Sequence, residues 1–262
     1  MRMPMRAEVA RYVPVEIGVL ELVRGAFDLD VPRIELHGAP SELYPYPFTG
    51  YRKLAGEPAH RAPLADFASP ANARTLGRML ATLHRISTAR AVALGVRPVT
   101  LAEHRAADRA ERVLARRAAL DAALGPDLAR RYAPFLAEHA LLDADVGARR
   151  LCHDDMHLEH LLLDPCTHRV TGLIDWTDAT LGDISRDFVL LWVDCGEPFV
   201  EDMLDAYDGP ADGTLLERIR LRARWSYLDW LARALERDVT SLPHRLTKFD
   251  HVFAPTPEAR RS

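Results

Sequence analysis

The sequence predicts an α+β fold of two lobes, a thin N-terminal lobe that mixes helix and strand and a mostly helical C-terminal lobe. Three observations support this prediction. The first fifty-odd residues pass from a helical apolar spacing to two short β-favouring runs. From residue 70 onward most segments have helical spacing, and only residues 149–174 return to short strands. A chain of 262 residues is long enough for two lobes that share a cleft.

The N-terminal lobe is predicted from three segments. Residues 13–24, VPVEIGVLELVR, place apolar side chains at helical spacing, and Pro14 is tolerated in the first turn of a helix. Residues 32–38 and 48–54, PRIELHG and FTGYRKL, are β-favouring runs bounded by Gly and Pro, which indicates two strands.

A Pro-rich connection separates the predicted lobes. Residues 56–70, GEPAHRAPLADFASP, have no sustained helical spacing and read as a linker. The predicted domains are residues 1–56, a partial N-terminal lobe that ends in a hinge, and residues 57–262, a helical C-terminal lobe.

Helical segments dominate the predicted C-terminal lobe. The first begins at Pro70 and carries its leucines on one stripe. The next opens with a capping box, Thr100 followed by Glu103. Asp183, after Gly182, is the expected N-cap of a later helix. The remaining predicted helices cover residues 127–142, 198–207 and 213–237.

Two carboxylates follow the short strands predicted between residues 149 and 174. Asp155 lies just past the first strand, and Asp175 directly follows the last. Because the last two strands form a predicted hairpin, the two carboxylates can face one cleft. One of them can accept a proton or orient a hydroxyl group, and the other can hold a hard cation. Such a pair suits phosphoryl transfer, which depends mostly on positioning and charge stabilisation.

Composition argues against several other classes of protein. The net charge is −4, and arginines alternate with acidic residues, so no nucleic-acid-binding surface is expected. No window approaches about 18 consecutive apolar residues, and the N-terminus has no apolar signal region, which predicts no membrane segment. The three cysteines lack paired spacing, which favours a cytoplasmic location over a disulfide framework.

Three motifs, in order along the chain, resemble the aminoglycoside phosphotransferase family of small-molecule kinases, which have a protein-kinase-like fold. HDDMHLEH, from residue 153, is similar to the family pattern H-x-D-x-x-x-x-N. IDW, from residue 174, matches I-D-[WF], and GDISRD, from residue 182, matches G-D-x-x-x-D. The resemblance extends from residue 2 to about residue 237.

The resemblance implies a role for each matching residue. Asp155 becomes the catalytic base, and His153 braces the catalytic loop around it. His160 and Asp175 become the ligands of Mg²⁺. Most members of the family carry Asn in place of His160, although branches similar to the macrolide kinases and the 2″-aminoglycoside kinases carry His. An imidazole is an unusual ligand here because Mg²⁺ prefers oxygen.

The resemblance also implies a site for ATP or GTP. Arg2 sits where the family has its phosphate-contacting basic residue, and Glu16 matches the helix acid that pairs with it. Lys53, Leu54 and Ala55 look like the hinge whose backbone groups hydrogen-bond the nucleotide base.

Family members carry two strands and a phosphate-covering loop ahead of the basic strand residue. In this chain no Gly-rich segment precedes Arg2, so backbone amides that would cradle phosphates are expected to be missing. A truncated N-terminal lobe is therefore expected, with weak nucleotide binding and slow turnover. A non-catalytic, pseudokinase-like ligand-binding protein is the alternative that follows from this observation.

The implied partners are a nucleoside triphosphate and a small-molecule substrate, an aminoglycoside or macrolide antibiotic, while the oligomeric state stays open. A polycationic acceptor would meet acidic side chains, and the acids of residues 199–212 and Asp178 are candidates by position. A His/Asp metallo-hydrolase is a less favoured alternative. Residues 153–157, HDDMH, look like half of such a motif, but no second histidine cluster accompanies them.

Several neighbouring residues have simpler expected places. His157 and His168 are expected in loops or at the surface, and His84 in the core. Trp176 is expected to pack beside the site. The resemblance implies that Asp187 bonds the backbone of the catalytic loop.

Overall fold

The computed structural model describes residues 1–98, 106–137 and 149–253. Within these ranges the strands are β1 (Ile34–Gly38), β2 (Phe48–Tyr51), β3 (Glu57–Pro58), β4 (Arg150–Cys152), β5 (Leu161–Leu163), β6 (Val170–Leu173) and β7 (Thr180–Gly182). The helices are α1 (Ala7–Ala10), α2 (Val13–Val23), α3 (Leu64–Phe67), α4 (Pro70–Arg85), α5 (Thr88–Ala93), α6 (Ala106–Ala115), α7 (Arg117–Tyr132), α8 (Arg186–Cys195), α9 (Glu197–Asp205), α10 (Leu215–Arg237), α11 (Leu242–Leu246) and α12 (Phe249–Val252). Across this part of the chain, no helix combines the length and apolar character needed to cross a membrane.

The predicted helix and strand pair near the N-terminus are confirmed. Helix α2 buries Val19, Leu20 and Val23 in the core, and β1 pairs with β2 in antiparallel fashion. Two backbone hydrogen bonds join Arg2 to β2. The Arg2 N–H donates to Thr49 O at 2.8 Å, and the Arg2 carbonyl oxygen accepts from Thr49 N at 3.1 Å. These backbone bonds fix the position of Arg2 along the sheet.

The strand ends singled out in the sequence belong to two small antiparallel sheets. β5 and β6 form the predicted hairpin, with β3 on the other edge of β5, and β4 pairs with β7. Asn72 near the start of α4 holds the hairpin turn, because its Nδ2 donates to His168 O at 2.8 Å and its Oδ1 accepts from Val170 N at 3.1 Å. A buried amide that satisfies two backbone groups in this way fixes the hairpin against the helix.

The helices of the C-terminal part pack around one core. α4 lies against α9, and α10 lies against α8 and α6. The predicted leucine stripe of α4, Leu76, Leu80 and Leu83, is fully buried. Each such side chain stabilises the fold by about 1.5–3 kcal/mol relative to an exposed position. Helix α4 also packs against β4.

The helix predicted over residues 127–142 is present from its expected start as the second half of helix α7, while its expected end, at residues 138–142, lies outside the described residues. Helix α7 starts earlier, kinks at Gly125, where φ is 75°, and continues through Pro126 to Tyr132. The kink follows from sequence, because Gly adopts positive φ readily and Pro cannot continue the preceding helical hydrogen bonds. The capping box predicted at Thr100–Glu103 lies outside the described residues.

Asp183 is not the N-cap of α8, which starts three residues later and is preceded by Ser185. The Asp183 carboxylate accepts a hydrogen bond from Ser185 N at 3.0 Å. It also forms ion pairs with Arg218 at 3.1 Å and with Arg222 at 3.2 Å. A buried carboxylate needs such partners, and two arginines of α10 supply them. Asp183 therefore joins the start of α8 to α10.

Replacing Gly77 by Ala should destabilise the protein by about 1–3 kcal/mol, because helices α4 and α9 touch at this position. A Cβ on Gly77 would lie 2.1 Å from the backbone oxygen of Met203, which has no flexible side chain to move aside. Urea denaturation measures the difference. In the control, Gly213→Ala, no atom lies within 4 Å of the new methyl group. Equal stability of the two variants would contradict the close contact of α4 with α9.

Candidate active site

The loop that follows β4 is held by a single buried carboxylate. Asp187, in the first turn of α8, accepts hydrogen bonds from His153 N at 3.1 Å and from Asp154 N at 2.7 Å. His84 lies 3.0 Å from the same carboxylate and is fully buried. These contacts hold the pKa of Asp187 below its usual value even though burial opposes ionisation. The expected positions of Asp187 at the loop backbone and of His84 in the core are confirmed.

His153 is fully buried and braces the loop from inside. Its Nε2 donates to Ile174 O at 3.1 Å, and its Nδ1 accepts from Asp155 N at 3.3 Å. Burial lowers the pKa of the imidazole, so the ring is neutral with its proton on Nε2. The ring meets the edge of buried Trp176, with 4.8 Å between centroids. His153 therefore joins the end of β4 to the end of β6.

His160 brings the two strand-end carboxylates together. Its Nδ1 lies 3.4 Å from Asp155 Oδ2, and its Nε2 lies 3.7 Å from Asp175 Oδ2. Nδ1 also donates to the backbone oxygen of Asp155 at 2.8 Å, which leaves a lone pair on Nε2. The two carboxylates thus lie on one side of the hairpin, as the strand ends predict.

The donor atoms at His160 and Asp175 fit a divalent cation. A metal-bound histidine usually donates its second ring N–H to a carbonyl or carboxylate, and the bond from Nδ1 to Asp155 O has this form. Nε2 and Asp175 Oδ2 are 3.7 Å apart, a separation that one ion can bridge. Asp155, His157 and His160 also place three donor atoms within 4.8 Å of one another.

Arg2 occupies the other oxygen of Asp175. Its Nη2 donates to Asp175 Oδ1 at 2.7 Å and also bonds Thr177, while its Nε pairs with Glu16 at 3.0 Å. Burial favours the neutral form of Asp175, but Arg2 and Thr177 outweigh it and lower the pKa to about 2. One guanidinium therefore serves two carboxylates, one from α2 and one from the end of β6.

Of the two carboxylates that pair with Arg2, Glu16 is less strongly stabilised in its charged form than Asp175. It is 5% exposed, and burial together with the nearby charges of Asp175 and Asp178 raises its pKa to about 7 despite the attraction of Arg2. The predicted pairing of Arg2 with Glu16 is thus present in the structure, and Glu16 changes its charge near neutral pH.

The segment predicted as the hinge connects β2 to β3. Lys53 and Ala55 are exposed, while Leu54 is half-buried. Leu54 lies beside β6, since a Cβ on Gly172 would be 3.6 Å from Leu54 Cδ1. The segment therefore passes next to β6, the strand that Asp175 follows.

A cavity of about 480 Å³ opens beside the catalytic-loop carboxylate. Its polar wall is formed by Arg109, Asp154, Asp155, His157, Arg186, Asp194, Arg222, Ser226, Asp229, Arg233 and Lys248. None of the acids predicted from residues 199–212 is among the lining residues, and Asp178 lines a separate cavity of about 210 Å³. The candidate acids of residues 199–212 thus lie away from this cavity, whose wall comes from α6, α8, α10, the loop after β4 and Lys248, while α9 packs against α4.

Sequence reasoning missed two residues next to Asp155. Asp154 forms a two-point ion pair with Arg186, with both N–O distances at 2.5 Å, and adopts a positive φ of 67°. His157, expected only in a loop or at the surface, lies 3.7 Å from Asp155 Oδ1 and faces the cavity. The only signal in the sequence for the role of Asp154 was that its partner, Arg186, falls inside the GDISRD motif.

Changing Glu16 to Gln should alter how stability depends on pH. The pKa of Glu16 is about 7 in the folded protein and 4.5 ordinarily, so its contribution is fully present below about pH 4.5 and is lost as the pH rises through 7. Wild type should thus lose on the order of 3 kcal/mol relative to Glu16→Gln between about pH 5 and pH 8. Urea denaturation at both pH values measures this difference. Glu21→Gln, on the exposed face of α2, should show no such change; a pH-independent difference for Glu16→Gln would contradict the raised pKa.

Comparison with known proteins agrees with this geometry. The family model described as "Phosphotransferase enzyme family" matches residues 1–222. The uncharacterised protein YcbJ of Bacillus subtilis (strain 168) is 29% identical over 223 residues, which are 79% of this chain and 67% of that protein.

Solved structures show the same fold. The GDP complex of wild-type aminoglycoside 2'-phosphotransferase-IIIa is 24% identical with a TM-score of 0.75, covering 96% of this chain and 84% of that one. The macrolide 2'-phosphotransferase MphH from Brachybacterium faecium is 26% identical with a TM-score of 0.59, covering 97% and 84%. The predicted α+β, protein-kinase-like fold is therefore confirmed. With residues 1–222 matched, the chain belongs to the phosphotransferase enzyme family, whose members transfer phosphate to hydroxyl groups.

Proposed function

We propose that this chain transfers the γ-phosphoryl group of ATP or GTP, with Mg²⁺, to a hydroxyl group of a small molecule. The observation that carries the proposal is the meeting of Asp155 and Asp175 at His160, at 3.4 and 3.7 Å. Of the two carboxylates, only Asp155 lines the large cavity. Aminoglycosides and macrolides, which the similar structures name, are the first acceptors to test.

In this proposal Asp155 orients the acceptor hydroxyl and takes its proton while the hydroxyl oxygen forms a bond to the γ-phosphorus. The bond between that phosphorus and the bridging oxygen breaks, and the nucleoside diphosphate leaves. His153 does not face the cavity, so its part is to position Asp155 through the backbone bond at 3.3 Å. Asp187 holds the same loop from the other side.

The nucleotide would lie against residues 1–56, next to Asp175. Arg2 would contact its phosphates, with Glu16 holding the guanidinium, and the backbone of Lys53 to Ala55 would bond the base. His160 Nε2 and Asp175 Oδ2 would hold Mg²⁺, which neutralises phosphate charge when bound. The division of the chain into an N-terminal lobe, residues 1–56, and a C-terminal lobe, residues 57–262, is part of this proposal. The dependence on a nucleoside triphosphate also favours the cytoplasm.

Asp155→Asn tests the catalytic base. Acceptor-dependent release of ADP or GDP, measured over a panel of aminoglycosides, macrolides and sugar acids, should fall by about 10²–10⁴-fold, because the variant cannot take the proton. Nucleotide affinity, measured by calorimetry, should stay within about twofold, since Asp155 faces the cavity.

Asp127→Asn, an exposed acid of α7, is the matched control and should keep wild-type activity. Undiminished transfer by Asp155→Asn would remove the assignment. Nucleotide binding without acceptor-dependent release, over the whole panel, would favour the pseudokinase-like alternative instead.

His160→Asn tests the metal ligands. Replacing an imidazole nitrogen by an amide oxygen should lower, several-fold, the Mg²⁺ concentration at which ADP binding is half-maximal, because Mg²⁺ prefers oxygen ligands. Calorimetric titration of ADP at a series of Mg²⁺ concentrations gives this value. His168→Asn is the control, at a turn position whose φ of 53° Asn tolerates. An unchanged Mg²⁺ requirement in His160→Asn would argue that His160 is not a ligand.

The donor set of Asp155, His157 and His160 favours a second candidate, a metallo-hydrolase, since two imidazoles and a carboxylate suit zinc. Metal analysis of the purified protein separates the two functions. Tightly held zinc, retained after dialysis and required for hydrolysis, would support the hydrolase. Activity that depends on weakly held Mg²⁺ and nucleotide would support the phosphotransferase.

A further inference from the structure

The large cavity beside Asp155 has an unusual balance of charge for an enzyme related to aminoglycoside kinases. Its wall contains five cationic side chains and four carboxylates, which are Arg109, Arg186, Arg222, Arg233, Lys248, Asp154, Asp155, Asp194 and Asp229. A pocket for a polycation needs carboxylates that are free to meet ammonium groups. The partners of each carboxylate therefore decide which charge the cavity accepts.

Three of the four carboxylates are already neutralised by the protein. Asp154 forms its two-point pair with Arg186, and Asp194 pairs with Lys248. Asp229 pairs with Arg233 at 2.9 Å and, on its other oxygen, with Arg112 of α6 at 2.7 Å. Only Asp155 has no Arg or Lys partner, and it faces the reacting hydroxyl in the proposed function. Among the described lining residues, a polycation would thus find no carboxylate without an Arg or Lys partner other than Asp155.

The cations are less well balanced than the acids. The only hydrogen-bond partner described for the Arg109 guanidinium is the hydroxyl of Ser226, at 2.9 Å, which carries no charge. Arg222 pairs with Asp183, but that carboxylate lies behind the wall and also serves Arg218. Burial and the nearby charge of Arg186 lower the pKa of Arg109 although the carboxylates of Asp229 and Asp154 oppose this, and burial lowers the pKa of Arg222 against the attraction of Asp183. Among the described residues, Arg109 thus has no direct ion pair, and the carboxylate that pairs with Arg222 is shared with Arg218.

We infer that the acceptor is a hydroxylated molecule that carries an oxyanion, a carboxylate or a phosphate, bound by Arg109 and Arg222. Arginine binds such groups through two parallel hydrogen bonds, and this interaction is strongest where the site is partly buried. Val189, Val193 and Trp230 supply the apolar part of the wall for the carbon skeleton. The place of the hydroxyl at Asp155 rests on the proposed function, but the binding of the oxyanion does not.

Three sugars built on the same pyranose ring test this inference. Glucuronate is anionic through a carboxylate at C6, glucose is neutral, glucosamine is cationic through an ammonium group at C2, and kanamycin serves as the polycation. Calorimetry with wild type at millimolar concentrations should show glucuronate binding most tightly, then glucose, then glucosamine, with kanamycin no tighter than glucosamine. Added salt should weaken glucuronate binding and leave glucose binding unchanged, because only the former depends on charge.

The variant Arg109→Gln removes the unbalanced charge and keeps a hydrogen-bonding group for Ser226. It should weaken glucuronate binding by about tenfold or more, the loss expected for one charge-assisted pair, and leave glucose binding nearly unchanged. Arg237→Gln is the matched control, because Arg237 is exposed at the end of α10, away from the cavity. Circular dichroism checks that both variants are folded. If Arg109→Gln does not fold, the salt dependence of glucuronate binding by wild type tests the inference instead.

The outcomes separate this inference from the proposed function. Tighter binding of glucosamine or kanamycin than of glucuronate, or failure of all three sugars to bind, would overturn it. An equal loss of glucose and glucuronate in Arg109→Gln would also overturn it, because the effect would then not depend on charge. Charge-selective glucuronate binding in a protein that binds neither ATP nor GTP would support the oxyanion site and contradict the phosphotransferase.

Discussion

The site depends on one buried carboxylate, that of Asp187. Both of its oxygens are used: one faces His84 and the amide of His153, and the other accepts from the amide of Asp154. Since a buried charge is tolerated only when it is paired and hydrogen-bonded, α4, α8 and the loop after β4 are obliged to meet at this point. The position of Asp155 follows, because the next amide in the loop bonds the ring of His153.

A second constraint is that Arg2 is shared by Glu16 and Asp175. Asp175 is the stronger partner, with a pKa of about 2, and Glu16 the weaker, with a pKa of about 7. The free oxygen of Asp175 still faces His160, so the arginine and a cation have separate oxygens to bind. The link between α2 and the end of β6 is thus compatible with a metal at the same carboxylate.

The sequence alone was sufficient to predict those site residues whose position follows from the strands next to them in the chain. Asp155 and Asp175 were found because the first lies just past a short strand, the second directly follows an apolar strand, and the hairpin between them has an unambiguous pattern. The cavity wall was not found, because Arg109 and Arg222 come from helices whose rotation is set by tertiary packing and Lys248 comes from the turn before α12. Asp183 was assigned to a cap from its place before a helix, whereas two distant arginines of α10 decide its role. Charge balance in a cavity is a property of side chains far apart in the chain, which periodicity does not show.

Asp154 and Asp175 both have a left-handed backbone, with φ of 67° and 62°. Only Gly, Asn and Asp enter this conformation at small cost. In the proposed function only Asp175 takes part in the chemistry, so a descendant that no longer catalyses can replace it by asparagine or glycine without backbone strain, whereas Asp154 must keep the charge that pairs with Arg186. Valine or isoleucine at either position would distort the loop itself. Among homologous genomes, asparagine or glycine at position 175 would mark lineages that preserved the scaffold after catalysis was lost.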